Sequence, residues 1–176
     1  MSGYPPPVRL VRLPPQAMRA LVAGDRETAS AAAGVVLSEF LASEECTWLW
    51  QIRLVQIAAD PDIETWVARA VVSEAGQHVV GHAGFHGPPD LAGMVEVGYT
   101  VDPRFRRQGY AKAMLRELLS WATAESRVTT VRASIRPDNV ASLATIEGFG
   151  FERTGEQWDE DDGLETIFEV KIRKQR

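Results

Sequence analysis

The chain has 176 residues, a formal net charge of −5 and 45% hydrophobic residues, enough apolar content for one packed domain spanning 1–176. An acidic chain is poorly suited to coating nucleic acid. Its N-terminal MSGYPPPVRLVRLPPQ lacks the apolar centre of a secretion signal, and no apolar run reaches bilayer-spanning length. The expectation is a cytoplasmic protein without nucleic-acid or membrane partners.

A proline-rich lead-in at residues 4–7 precedes a short strand at 8–13 and a short helix at 16–23. Residues 26–58 read as one or two amphipathic helices, with a break near 42–44. After a turn at 60–62, strands are expected at 64–73 and 78–86, joined by the loop 74–77. A break at 87–90 leads to a strand over 94–101. Its alternation puts Val95, Val97, Tyr99 and Val101 on one face and Glu96, Gly98 and Thr100 on the other. Ala111, Met114, Leu115, Leu118, Leu119 and Ala122 then form one apolar helical stripe. A buried strand at 129–135, a short helix at 140–147 and a hairpin of 151–158 with 164–172, turned at Asp162-Gly163, complete the chain. Antiparallel strands followed by a strand–helix–strand crossover predict an α/β (α+β) domain, a mixed, mostly antiparallel sheet flanked by helices.

The start of the central helix is unusual. Arg104, Arg106 and Arg107 approach it, and no acid follows until Glu117, although a helix N-terminus favours negative charge. The nearest capping residue, Asp102, precedes a proline. Gly109 permits positive φ and close approach to the backbone, and Ala111 keeps the first turn clear. Donors, dipole and arginines without an internal anion describe either an anion site at a strand–loop–helix junction, with phosphate the usual occupant, or a solvated arginine-rich turn bent at Gly109. Neither GxxxxGK[ST] nor GxGxxG is present.

Arg106-Arg107-Gln108-Gly109-Tyr110-Ala111 resembles the [QR]-x-x-G-x-[GA] signature of the GNAT superfamily of acyl-CoA-dependent N-acetyltransferases. "GFHGPPD", "VEVGYTVDP" and "NVASLATIEGFGF" stand in matching order, and residues 78–155 resemble the branch related to ribosomal-protein N-terminal acetyltransferases. The resemblance implies the splayed sheet of the acyl-CoA N-acyltransferase fold. It implies acetyl-CoA as co-substrate, its pyrophosphate on the amides of residues 107–111 and its pantetheine arm beside Tyr99, Thr100 and Val101, with Asn139 on the far side. No metal is implied.

Amine attack on a thioester needs a base, because an alkyl ammonium has a pKa of about 10. Glu96, on the strand before the signature, is the first candidate, and His86, at the end of the preceding strand, is the second. Five residues before Asn139, where some family members place a base, stands Ser134. Seven residues after it, where many carry a tyrosine acid, stands Ile146, leaving Ser142 or water to protonate the thiolate. A backbone N–H of residues 99–101 would stabilise the oxyanion. His78, His82 and His86 at spacing four are expected on one strand face, without a motif that makes them a metal site.

The acceptor is a primary amine on a small molecule or a peptide. The acidic hairpin residues Glu156, Asp159, Glu160, Asp161, Asp162 and Glu165 could attract it, and Trp48, Trp50 and Trp66 either line its cleft or fill the core. Cys46, the single cysteine, excludes a disulfide framework. Long apolar strands leave room for a homodimer. The alternatives are a non-catalytic acyl-CoA-binding or sensing domain and an α/β protein with a nucleotide ligand.

Overall fold

The computed structural model describes residues 5–173, so within the proline-rich lead-in only Tyr4 lies outside the described residues. Strand β1 (Val8–Arg12) leads into α1 (Pro15–Val22), which begins on a proline whose missing N–H costs nothing in the first turn. Residues 26–58 hold two helices, α2 (Arg26–Ala33) and α3 (Glu44–Ala59). The break between them is wider than predicted and includes a 3-10 turn at Glu39–Ala42. Strand β2 (Arg69–Ser73) starts five residues later than expected. The Asp60 carboxylate accepts the Asp62 N–H, and Pro61 opens a 3-10 turn over Pro61–Thr65 that takes up Glu64 and Thr65.

Strands β3 (Val79–Phe85) and β4 (Met94–Val101), helix α4 (Tyr110–Ala124), strand β5 (Thr130–Ile135), helix α5 (Val140–Ile146) and strands β6 (Glu152–Asp159) and β7 (Gly163–Lys171) follow. They build one seven-stranded sheet in the order β1-β2-β3-β4-β5-β7-β6, antiparallel except between β4 and β5. Helix α4 covers one face. Its Met114, Leu115, Leu118 and Ala122 are buried with Val95, Val97 and Phe85, while Ala111 and Leu119 are only half-buried. The first three helices cover the other face, where Leu13, Leu21, Leu41 and Trp50 have no exposed surface.

Two irregularities position the site. In β3, Gly81 lies opposite Val71 but Val79 lies opposite Val72, so Val80 is an extra, bulged residue. The bulge turns His78 onto Phe105 on the α4 side, while His82 faces Phe40 and Trp50 on the α3 side. The three histidines therefore do not share a face, contrary to their spacing.

The second irregularity is a parting of strands. The β4–β5 ladder runs only from Met94–Thr130 to Glu96–Arg132, after which β4 stays with β3 and β5 with β7. The His86 N–H donates to the Glu96 carbonyl and the Asp102 N–H to the Val80 carbonyl. Antiparallel alternation then turns the main chain of Gly98 and Thr100 toward β3, and that of Tyr99 and Val101 into the gap. The sheet is splayed.

Candidate active site

The loop between β4 and α4 leaves helix donors open. Asp102, buried, accepts the Arg104 N–H at 3.0 Å and pairs with its guanidinium at 2.8 Å. The nearest acid is thus committed to the turn Pro103–Phe105 and caps nothing on α4. Gly109 occupies the N-cap of α4 at φ +85°, no side chain caps it, and its first turn holds no acid. Arg107 is also left-handed, at φ +60°. Ala113 bonds back to Gly109, but the N–H groups of Tyr110, Ala111 and Lys112 precede any intrahelical acceptor.

A cavity of about 780 Å³ opens on these amides. Tyr99, Thr100, Val101, Arg106, Arg107, Gly109, Tyr110, Ala111, Asn139 and Ser142, each expected here from sequence, line it, and Lys112 and Thr145 join them. Gln108 does not line it; its amide turns back to the Arg104 carbonyl. Arg106 reaches the Val101 carbonyl at 3.4 Å and approaches Glu45 at 4.0 Å. Asn139 caps α5 by accepting the Ser142 N–H at 3.1 Å. Burial pushes the Tyr99 phenol up to about 12, against an opposing pull from its hydrogen bonding with the Thr145 and Ser142 hydroxyls. The phenol is a proton donor at neutral pH. Ile146 is buried in the core and offers no proton.

A second cavity, about 850 Å³, lies between α3 and the β6–β7 hairpin and shares Tyr99 and Thr100 with the first. Trp48, Ile52 and Arg53 form one wall, and Asp159, Asp161 and Asp162 the opposite rim. The hairpin turn is Glu160–Asp162, one residue longer than its expected Asp162-Gly163 centre requires, and Asp159 Oδ1 holds it by accepting the Asp161 and Asp162 N–H groups. Glu156 is spent on Arg153, and Glu165 is buried against Gln157. Of the three tryptophans, only Trp48 lines the cleft. Trp50 is wholly buried and donates to the Leu41 carbonyl, and Trp66 stacks on Trp121 under the sheet.

His86 sits on the cavity wall with its ring over Gly98, where a Cβ would come within 3.0 Å of it. Its Nδ1 is 4.0 Å from Glu96 Oε1, so the two candidate bases are neighbours. Glu96 lies behind His86, outside the lining residues. Burial draws the His86 pKa below its ordinary value; Glu96 pulls it back up, and the Arg53 charge lowers it. At neutral pH the ring is unprotonated. Burial takes His82 down to about 4, with the Arg53 charge adding to the shift. Sequence reasoning overlooked Arg53 and Thr145. The available signal was a charge between the apolar Ile52 and Leu54 of one helix.

A family model described as an acetyltransferase (GNAT) domain matches residues 10–152. The chain belongs to the GNAT acetyltransferase family. This GNAT chain is 32% identical over 98 residues to the uncharacterised N-acetyltransferase YjdG of Bacillus subtilis, covering 56% of each. It is 35% identical over 89 residues to the N-alpha-acetyltransferase RimI of Mycobacterium tuberculosis, covering 48% of this chain and 52% of RimI. The chain thus spans about half the length of the curated relatives it matches. The structure of RimL, a ribosomal L7/L12 alpha-N-protein acetyltransferase in complex with coenzyme A, shares its fold with a TM-score of 0.62 at 17% identity, covering 94% of both chains. Among the described residues no group of three or more His, Cys, Asp or Glu side chains is placed to hold a metal ion, and no helix is long and apolar enough to cross a membrane.

Proposed function

We propose that the protein is an acetyl-CoA-dependent N-acetyltransferase that passes an acetyl group to a primary amine by direct attack in a ternary complex. The observation that carries this reading is the parting of β4 from β5. It leaves the main chain of Tyr99 and Val101 facing a gap that runs into the open amides of α4. A pyrophosphate suits those amides with Arg106 and Arg107 beside them, and an amide-bearing arm suits an unpaired strand edge. Acetyl-CoA supplies an acyl group already activated as a thioester.

The chain's own residues carry the rest. The two cavities meet at Tyr99–Thr100, which brings an amine in the α3-side cleft to the thioester end of the other. Asp159, Asp161 and Asp162 favour entry of a cation. Neutral His86, backed by Glu96, takes the ammonium proton directly or through a water. A gap-facing N–H of β4 stabilises the oxyanion. The Tyr99 hydroxyl stands beside Ser142 as a donor to the thiolate, filling the role that Ile146 leaves open. Cys46 is buried and its thiol is pushed up to about 12, so it is no nucleophile. RimI and RimL, both named for alpha-N acetylation, make a peptide amine a reasonable acceptor class.

Thermal shift with acetyl-CoA and CoA, followed by thiol release with a panel of amines, tests the reading. The expected outcome is stabilisation by both and turnover with at least one amine. No stabilisation by either ligand overturns it. Stabilisation without turnover on any amine moves the assignment to an acyl-CoA sensor, the reading that Ile146 favours.

A further inference from the structure

The acceptor cleft carries one charge that the proposed chemistry leaves unused. Arg53 Nη1 donates to Gln56 Oε1 at 2.8 Å and to the His86 carbonyl at 3.2 Å. Among the described residues no carboxylate lies within 4.0 Å of its guanidinium. This is a departure from the way the chain treats another half-buried arginine: Arg132 holds Glu169 through two nitrogens, at 3.0 and 2.7 Å. The titratable groups facing Arg53 are the rings of His82 and His86, which burial first and then the Arg53 charge push toward the neutral form. A partly desolvated guanidinium without a counter-charge is costly unless something brings one.

Its position says what should bring it. The hydrogen bond to the His86 carbonyl fixes the guanidinium beside the residue that, with Glu96, receives the amine's proton. The exposed side chains of Trp48 and Ile52 continue the same wall, and the acidic hairpin stands across the cleft. A cation, a base and an apolar shelf within one cleft match an amine that carries its own anion.

Building on the acetyltransferase reading, we infer that Arg53 binds a carboxylate of the acceptor, which makes the substrate class amines with a carboxylate close to the amino group and an apolar side chain. Two sources share that chemistry: a free amino acid, and a peptide with an acidic residue beside its N-terminus. Bidentate geometry and full charge make arginine the fitting partner for such a group. Polyamines and aminoglycosides, which carry only cations, are disfavoured by the same charge.

The test compares matched acceptors: leucine, leucinamide and isoamylamine as one set, and Ala-Glu-Leu-amide against Ala-Gln-Leu-amide as the other, with spermidine alongside. In the wild type the carboxylate-bearing member of at least one set should have a kcat/KM about 10- to 100-fold above its neutral partner, the span of one charge-assisted contact. The set that shows the preference identifies the source. Arg53→Gln should erase the preference by raising KM with kcat little changed, Arg53→Lys should restore part of it, and CoA binding should stay as in the wild type. Calorimetry of leucine, leucinamide and the peptide pair with the free and the CoA-loaded protein reads the same preference without turnover. A wild type that favours spermidine or the neutral partners overturns the inference, as does a preference that survives Arg53→Gln. Failure of the acetyltransferase reading would appear separately, as absent CoA stabilisation.

Discussion

Gly109 and His86 are the residues on which the site turns. At φ +85° and with Pro6 only 3.2 Å from where its Cβ would stand, Gly109 cannot take a branched side chain without moving the loop. Gly109→Val should abolish CoA binding by calorimetry and cost roughly 1–2 kcal/mol of stability from the left-handed backbone alone. Normal CoA affinity in that variant would show that the pyrophosphate lies elsewhere. Glu96→Gln, which removes the support behind His86, should leave CoA binding intact and lower kcat by less than the roughly 100-fold that marks the low end of a positioned base's contribution. Because His86 is held below its ordinary pKa, the neutral ring persists into mildly acidic solution. The acid limb of the kcat/KM profile should therefore lie below pH ~6.5, the free histidine value. In Glu96→Gln, which removes an influence that raises the His86 pKa, the limb should move lower still.

At the scale of elements, the hairpin β6–β7 brings negative charge to the cleft and α3 brings apolar surface. Replacing Asp161 and Asp162 together with asparagine should lower kcat/KM for amine acceptors several-fold at low salt, and the deficit should shrink as salt rises. An unchanged salt dependence would mean that the tip is simply solvated. How legible these elements were depended on how locally they are specified. The α4 stripe, the alternation of β4 and the glycine loop are written in contiguous residues, and the sequence order of strands follows from turn chemistry. What could not be read was decided across the fold. The Val80 bulge, which sends His78 and His82 to opposite faces, is set by the register of β3 against β2, which the spacing of the histidines does not record. Likewise Trp48 and Trp50, two positions apart on α3, separate into cleft and core only once the helix has a sheet beneath it. Arg53 joins the site only through the His86 carbonyl, 33 residues away along the chain.

The whole molecule is a sheet with two cores, and each responds to a different perturbation. Leu118 is wholly buried on the α4 side, and Leu118→Ala should cost about 2–5 kcal/mol in denaturant unfolding. On the opposite side, His82 is neutral down to about pH 4, enclosed by Phe40 and Trp50. The unfolded chain protonates this histidine near 6.5, so between those values it binds more protons than the folded one. Stability is therefore full above about pH 6.5, falls as pH drops toward 4 and levels off for this group below that, by at most about 3 kcal/mol. Melting curves from pH 7.5 to 4.5 should show the fall, and His82→Phe should reduce it. An equal fall in His82→Phe would assign the acid sensitivity to other groups.

The gap beside β4 has a consequence for how the site can be found by mutation. Tyr99 and Val101 present N–H and C=O groups to it, and those groups are identical whatever side chain the residue bears. Replacing Val101 with alanine leaves the hydrogen-bonding edge in place, whereas proline deletes a donor that no neighbouring strand uses. An alanine scan would pass over this stretch of the binding surface in silence. The residues hardest to see by mutagenesis would be the ones the ligand follows most closely.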